Sequence, residues 1–233
     1  MKFYLTTAID YPNAEPHLGH AYEKLLADFL AKYQKQKGND VFYQTGTDEH
    51  GIKIYQTAQK ANITTKKLVN QNSKKFKEFY KLLNIEYDSF IRTSDKKVHW
   101  PGVLKLWKKL IKSGDLFKKK YKAKYCVGCE SFKTESELEN NKCPFHIGKK
   151  IEIIEEENYF FKLSKYKNQL IKLIESDKYQ IKPKRAKNEI LSFLKGDVED
   201  ISFSRVKSKL PWGIPVPNDK DQVIYVWADA LSN

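Results

Sequence analysis

The spacing of apolar residues changes character near the start of the chain. Residues 3–9 are continuously apolar or β-branched, a pattern that predicts a buried strand. Pro12, Asn13 and Pro16 then indicate a turn. The apolar residues that follow recur at three- and four-residue steps, the period of one helix face, and they are Leu18, Tyr22, Leu25, Leu26, Phe29, Leu30 and Tyr33. The chain is therefore predicted to open with a strand, a loop and a helix.

The alternation of strand and helix patterns continues as far as Gly114. Gly38 and Gly114 are expected to end helices, and Thr64 or Thr65 is expected to cap one. The predicted strands are 39–46 and 89–94, and the predicted helices are 52–83, interrupted near 62–64, and 101–113. Such alternation is typical of a doubly wound parallel sheet, so we expect residues 1–114 to form the first half of a Rossmann-like α/β domain.

The pattern changes after residue 114. Residues 115 to about 160 lose the helical period, which returns over residues 159–175. Residues 222–227 are mostly apolar and predict a fully buried parallel strand. We therefore expect an inserted domain at 115–216 and the start of the second half of the first domain at 217–233.

Composition supports a packed core, since 40% of the 233 residues are hydrophobic and 13% are aromatic. The net charge of +14 comes almost entirely from lysine. It favours a polyanionic partner such as nucleic acid, but lysines that merely solvate helix faces would give the same balance.

Several classes of protein are disfavoured. No segment is apolar for long enough to span a membrane, and Met1 and Lys2 lead directly into the first strand, which leaves no room for a signal peptide. Three cysteines, all between positions 126 and 143, argue against a disulfide framework. We expect a cytoplasmic protein, with a monomer favoured.

His17 and His20 lie one turn apart where the first helix begins, with Gly19 between them. A helix N-terminus presents unpaired N–H groups and positive dipole to a phosphate, and glycine lets a ligand approach the backbone closely. The segment therefore indicates a nucleotide site. Two histidines at this spacing could equally be partial metal ligands or surface groups.

Cys126 and Cys129 are followed by Cys143 and His146. Paired Cys-x2-Cys and Cys-x2-His turns offer four ligands for a tetrahedral zinc ion, and a site with no open position is structural. The alternative is three unrelated cysteines and a surface histidine.

Three further positions are ambiguous when they are considered alone. Asp48 follows the second strand, where ligands of parallel sheets bind and where a carboxylate can pair with an ammonium group. Alternatively, Asp48 or Glu49 could simply cap the next helix. Val226 and Trp227 could be core residues of a strand. Arg205 could lie on the surface.

Four segments resemble one protein family. Residues 8–20 closely resemble the first signature of class I aminoacyl-tRNA synthetases, and Tyr11, Pro12 and Asn13 resemble its methionyl version. Residues 125–130 and 157–163 look like the single-knuckle connective domain of bacterial-type methionyl-tRNA synthetases, while 47–51 and 225–231 are similar to segments of their methionine pocket.

The resemblance implies a role for each candidate residue. His17 and His20 would be catalytic, and with Gly19 and Glu23 they would bind ATP accompanied by magnesium. Asp48 would bind the amino group of methionine, and Arg205 would support the active site. The apolar wall of the methionine pocket would comprise Ala8, Ile9, Tyr11, Val226, Trp227 and Leu231.

The implied activity is ATP-dependent formation of methionyl-adenylate followed by transfer to tRNA(Met). The family also carries a lysine-bearing signature loop and an anticodon-binding domain, for which this sequence has no counterpart. We therefore expect an amino-terminal part of a synthetase that is inactive alone. Two alternatives remain: a sibling synthetase for isoleucine, valine, leucine or cysteine, and a truncated RNA-binding paralogue without catalysis.

Overall fold

The computed structural model describes residues 1–129, 131–133, 137–146, 148 and 150–233. Strands and helices alternate in the first half of the chain, as predicted. Thr64 caps α3 by accepting a hydrogen bond from the amide of Lys67, and Gly38 and Gly114 adopt positive φ where α1 and α4 end. The elements are β1 (Lys2–Thr6), α1 (Leu18–Gln36), β2 (Asp40–Thr47), α2 (Ile52–Lys60), α3 (Thr65–Leu82), β3 (Ser89–Arg92) and α4 (Trp100–Lys112).

The first three strands form a parallel sheet in the order β1–β2–β3. This arrangement, with helices between consecutive parallel strands, confirms the predicted α/β class. Parallel strands end at the same edge of a sheet, so the residues that follow β1 and β2 emerge side by side.

The core of this half lies between the sheet and the helices α1 and α3. Val41 and Tyr43 of β2 pack with Phe76 and Tyr80 of α3, and all four are buried. Val41 and Tyr43 are two residues apart, which is the period of a strand face, and Phe76 and Tyr80 are four apart, which fits a helix face. One face of each element is therefore buried.

The prediction that residues 3–9 form a buried strand is wrong in two respects. β1 ends at Thr6, and its residues alternate between exposed and half-buried, with Tyr4 61% exposed. Phe3 and Leu5 pack against the buried cluster on one face of the sheet, whereas Tyr4 contacts Phe42, which is itself 47% exposed on the other face. An apolar run therefore does not guarantee burial on both faces.

The helix predicted after the turn is present, but its inward face differs from its apolar face. The residues turned towards the sheet are small or polar, and they are Ala21, Lys24, Ala27, Asp28 and Ala31. Most of the predicted apolar stripe is exposed; we name this stripe the outer face of α1, and its residues are Leu18, Tyr22, Leu25, Leu26, Phe29 and Tyr33.

A second, antiparallel sheet occupies the middle of the chain, in the order β5–β4–β6–β7. Two helices of this segment, α5 and α6, pack against each other through Ile174 and Leu194. The elements are β4 (Leu116–Cys126), β5 (Ser131–Lys133), β6 (Ile151–Phe161), α5 (Leu163–Glu175), α6 (Lys184–Lys195) and β7 (Ile201–Ser202).

The helix predicted over residues 159–175 begins later than expected, at Leu163. Tyr159, Phe160 and Phe161 belong to β6, where they pair with Lys118, Phe117 and Leu116 of β4. Their apolar spacing fits a helix as well as a strand, and the long ladder with β4 decides for the strand.

The last elements form a third sheet, antiparallel in the order β8–β10–β9, and a short helix. The predicted parallel strand at 222–227 is therefore wrong: β10 ends at Ile224, and Val226 and Trp227 lie in the helix. Apolar character reports burial and does not reveal the direction of the partner strand. The bounds are β8 (Ser204–Val206), β9 (Pro215–Val216), β10 (Asp219–Ile224) and α7 (Val226–Ala230).

One apolar cluster joins the three predicted segments. Val103 and Trp107 of α4 pack with Leu116, Ile214 and Ile224. The segments therefore share a core at this point, and the domain boundaries 114/115 and 216/217 stay predictions.

The surface is rich in lysine, part of which pairs within helices. Lys32 lies 2.8 Å from Asp28, and Lys74 lies 3.7 Å from Glu78. Such pairs fit the interpretation that lysines solvate helix faces, and the polyanion interpretation stays a prediction. Of the helices within the described residues, none has the length and apolar character needed to cross a membrane.

Candidate active site and metal centre

The loops after β1 and β2 are joined backbone to backbone. The amide of Asp10 donates to the carbonyl of Gly46 over 2.9 Å, and the amide of Asp48 donates to the carbonyl of Asp10 over 2.8 Å. Gly46 also allows β2 to approach β3, since a Cβ at this position would lie 2.1 Å from the carbonyl oxygen of Ile91. These contacts fix Asp48 beside the segment that contains Ala8 and Asp10.

The first turn of α1 uses both histidines as caps. Nδ1 of His17 accepts the amide hydrogen of Gly19, and Nδ1 of His20 accepts that of His17, each over 3.1 Å. The two rings lie 3.9 Å apart between centroids. Burial lowers the pKa of His20, although Asp10 opposes this effect. A neutral ring that accepts at Nδ1 carries its proton on Nε2, so His20 offers an Nε2–H donor to a ligand.

An ionic network around the buried amine of Lys24 ties α1 to the loop after β1. Nζ of Lys24 is fully buried and contacts Oδ1 of Asp10 at 2.7 Å, the carbonyl of Ala8 at 2.8 Å and Oε2 of Glu23 at 2.9 Å. Glu23 also accepts the amide hydrogen of Ala8 over 2.8 Å, and Tyr80 donates to the second oxygen of Asp10. Glu23, predicted to bind ATP, is thus bonded to the backbone of Ala8.

A cavity of about 480 Å³ opens between the loop after β1, the end of β2 and α7. Trp227 is 51% exposed at this cavity, whereas Asp48 is only 7% exposed. The seven residues predicted for the methionine pocket all line it: Ala8, Ile9, Tyr11, Asp48, Val226, Trp227 and Leu231. The other lining residues were not predicted from the sequence, and they are Thr6, Thr7, Lys53, Gly128, Cys129, Ala230 and Asn233.

Neither Asp48 nor Glu49 caps the following helix. The N-cap of α2 is Gly51, at φ 109°, and no side chain bonds to that helix end. Glu49 instead forms a bidentate pair with Arg92, with distances of 2.7 and 3.0 Å. The capping alternative is therefore wrong, and Asp48 remains on the cavity wall.

Asp229 in α7 holds a buried carboxylate between two histidines. Its Oδ2 lies 2.8 Å from Nδ1 of His50, and its Oδ1 lies 3.9 Å from Nε2 of His99. Burial raises the pKa of Asp229 well above its usual value. Burial also disfavours the charged form of the two imidazoles, and it lowers the pKa of His50 and of His99 to about 4. Both imidazoles are therefore neutral at neutral pH.

Arg205 is buried, so the surface alternative is wrong. Its guanidinium donates to the hydroxyl of Ser202 over 3.0 Å and lies 4.3 Å from the ring centroid of Tyr225, the N-cap residue of α7. It does not line the cavity described above. A supporting role would therefore act through Tyr225.

The four predicted metal ligands converge. The ligand atoms of Cys126, Cys129, Cys143 and His146 all lie within 4.8 Å of one another. Sγ of Cys129 lies 3.5 Å from Sγ of Cys143 and 3.2 Å from Nδ1 of His146. Tetrahedral coordination with Zn–S of about 2.3 Å and Zn–N of about 2.0 Å places ligand atoms roughly 3.5–3.8 Å apart, so these side chains fit a zinc ion and form no disulfide.

The metal cluster depends on a glycine and reaches the cavity. A Cβ at Gly128 would lie 2.4 Å from the ring of His146, so only glycine permits this packing. Gly128 and Cys129 also line the cavity. Glu130, which belongs to the segment that resembles the connective domain, lies outside the described residues.

Two buried polar groups were not predicted from the sequence: the ionic network around Lys24 and the carboxyl group of Asp229 with its histidines. Lys24 lies on the inward side of α1 with Ala21, Ala27 and Ala31, and that spacing is a signal that could have identified it. Asp229 and His99 carry no such signal, because their contact joins distant segments.

Comparison with known proteins agrees with the fold and identifies the class of protein, a class I aminoacyl-tRNA synthetase. The chain belongs to the family described as tRNA synthetases class I (M), whose model matches residues 3–151 and 134–233. It is 46% identical over 231 residues to a methionine–tRNA ligase of Clostridium tetani, covering 99% of this chain and 36% of that protein.

Solved structures of Mycobacterium tuberculosis methionyl-tRNA synthetase are similar over nearly the whole chain. The form bound by methionyl-adenylate has a TM-score of 0.93 and 39% identity, and covers 100% of this chain and 46% of that one. The free form has a TM-score of 0.79 and 35% identity, and covers 99% of this chain and 44% of that one. The chain thus spans less than half the length of these relatives.

Proposed function

We propose that this chain forms the methionine-binding and adenylate-forming part of a methionine–tRNA ligase. The observation that carries the proposal is the position of one cavity between the buried carboxylate of Asp48 and the ring of Trp227, with the histidine-capped end of α1 at the loop that forms its wall. Membership of the family supports this assignment.

Methionine recognition would divide between charge and apolar contact. Asp48 would pair with the ammonium group of the amino acid. Tyr11 and Trp227 would contact the thioether, since sulfur favours ring edges by about 0.3–1.5 kcal/mol. Ala8, Ile9, Val226 and Leu231 would complete the apolar wall.

ATP would bind at the N-terminus of α1, with the Nε2–H groups of His17 and His20 and the backbone near Gly19 facing its phosphates. An oxygen of the methionine carboxylate attacks the α-phosphorus in line, the bond to the β-phosphate oxygen breaks, and pyrophosphate leaves. Glu23 would act by holding Ala8. Magnesium would neutralise phosphate charge, and tRNA(Met) would accept the aminoacyl group in the whole protein.

We infer that the ion held by the three cysteines and His146 is zinc and that its role is structural. Soft thiolates with one imidazole are the ligand set that zinc prefers, and four protein ligands leave no open position for a substrate. Because Cys129 also lines the cavity, the metal would fix one part of the cavity wall.

Calorimetry of the 233-residue chain with L-methionine, L-leucine and L-norvaline tests the amino-acid assignment. We expect weak binding with methionine preferred. Asp48→Ala should lose about 2–5 kcal/mol of binding free energy, because a desolvated ammonium loses its partner. Asp40→Ala is the matched control, since Asp40 is exposed at the other end of β2.

Three outcomes would contradict the proposal. Equal binding of leucine would favour a sibling synthetase. An equal loss in Asp48→Ala and Asp40→Ala would remove the assigned role of Asp48. A folded chain that binds RNA and none of the three amino acids would favour the non-catalytic paralogue.

A further inference from the structure

Asp229 lies within α7, two residues after Trp227 and two before Leu231, and both of these neighbours line the cavity. Asp229 itself is fully buried. Its side chain therefore points away from the cavity into the body of the protein, while the same short helix forms part of the cavity wall.

The carboxylate of Asp229 joins three separate segments. His50, at 2.8 Å, follows Asp48 by two residues. His99, at 3.9 Å, is the N-cap residue of α4. The contact with His50 thus joins α7 to the segment that follows Asp48, between side chains that lie 179 residues apart.

A contribution to stability alone does not explain why Asp229, His50 and His99 are buried together. Burial of a carboxylate and two imidazoles carries a desolvation cost, and well-packed apolar side chains of similar volume often give equal or greater stability. A hydrogen bond is directional, however, and a polar contact in a low-dielectric interior selects one arrangement of the groups that it joins.

Two buried atoms of the group also lack hydrogen bonds within the described residues. They are Oδ1 of Asp229 and Nε2 of His99, which face each other at 3.9 Å. The separation is beyond hydrogen-bond range. A displacement of α7 by about 1 Å would bring the two atoms to hydrogen-bond distance.

We propose that His50 and His99 are positioning residues that act through Asp229 and hold α7 so that Trp227 faces Asp48 across the cavity. The inference rests on the proposed function only for the identity of the ligand, methionine. The placement of Trp227 can be measured without any ligand.

The first experiment uses the full chain labelled with 5-fluorotryptophan and observed by fluorine NMR. The chain has four tryptophans, and loss of one resonance in Trp227→Phe assigns that residue. His50→Leu should shift or broaden the Trp227 resonance. Trp107 packs in the same apolar cluster as Ala228 of α7, and Trp100 and Trp212 approach the ring of His50 directly. None of these three resonances is a fixed reference, so the spectrum of His50→Leu is compared with that of His50→Asn.

Conservative variants separate position from packing. His50→Asn keeps a polar nitrogen at the place of Nδ1 and should restore the Trp227 resonance. His99→Gln keeps a polar nitrogen at the place of Nε2. Its Trp227 resonance should therefore lie closer to that of the original chain than the resonance of His99→Leu does. If His50→Leu fails to fold, His50→Gln replaces it, because its amide lies at the place of Nε2 and cannot reproduce the bond to Asp229.

Calorimetry with L-methionine supplies the second measurement. We expect His50→Leu to weaken binding at least tenfold and His50→Asn to stay within about threefold of the original chain. An unchanged Trp227 resonance in folded His50→Leu and His99→Leu would overturn the inference, and so would failure of His50→Asn to restore it. If the original chain binds no methionine, the proposed function fails, while the NMR result still decides the role of the histidines.

Discussion

The indole N–H of Trp212 donates a 2.6 Å hydrogen bond to the backbone carbonyl of Glu49, although 163 residues separate the two. Glu49 is fully buried. It directly follows Asp48, which lies on the cavity wall. The segment after β8 is therefore fixed against the end of β2. Through this contact, the late part of the chain supports the strand end that carries the candidate binding carboxylate.

Trp212→Phe tests this contact, because phenylalanine keeps an aromatic ring and removes the donor. We expect a loss of about 1–3 kcal/mol in the free energy of unfolding, since a buried carbonyl would lose its partner. Urea denaturation measures the change. Trp227→Phe is the control, since Trp227 is half-exposed, and an equal loss in both variants would show that the Trp212 hydrogen bond contributes nothing.

The buried pair of Lys24 and Asp10 leads to a second prediction. Lys24→Met should destabilise the chain by about 3–5 kcal/mol, because Asp10 would be left charged and unpaired in the interior. Asp10→Asn added to Lys24→Met should recover part of the loss, since it removes the unpaired charge.

Lys35→Met is the matched control for Lys24→Met. Lys35 is 43% exposed and lies 4.0 Å from Asp88, and exposed pairs of this kind contribute about 0–1 kcal/mol. Chemical denaturation of Lys24→Met, Asp10→Asn, their combination and Lys35→Met measures these changes. The assigned role of Lys24 is wrong if its replacement costs no more than that of Lys35.

Local sequence patterns predicted the first half of the fold well. The alternation of elements, the cap at Thr64 and the helix ends at Gly38 and Gly114 all depend on neighbouring residues. The convergence of the cysteines with His146 was also predicted, because ligand spacing is a local property. The cavity residues were identified by family resemblance, since nothing in the sequence alone places Asp48 near Trp227.

Features that depend on distant partners were not predicted. The direction of β10 is set by β8 and β9, and residues 159–161 follow the ladder with β4. The outer face of α1 has the period of a core-facing stripe, yet Ala21, Ala27 and Ala31 face the sheet. Period identifies a helix face but does not say which surface will cover it.

The exposure of that outer face gives a third prediction. Phe29 is 72% exposed on α1, whereas Phe76 is fully buried in α3. Phe76→Ala should cost about 3–5 kcal/mol of unfolding free energy through lost burial and a cavity, while Phe29→Ala should stay within about 0.5 kcal/mol. Thermal and urea denaturation measure both, and a large cost at Phe29 would mean that the outer face is covered in solution.

The metal cluster gives the last prediction. Elemental analysis of purified protein should find about one zinc per chain, and Cys143→Ser should lose most of it, because one of four ligands is removed. Phe145→Ala is the control, since this residue lies between two ligands but is 79% exposed and contributes no ligand atom. Acidification should also release the metal, because protons compete for thiolates and imidazole. Zinc retained in Cys143→Ser at the level of Phe145→Ala would show that the convergence of these side chains does not form a metal site.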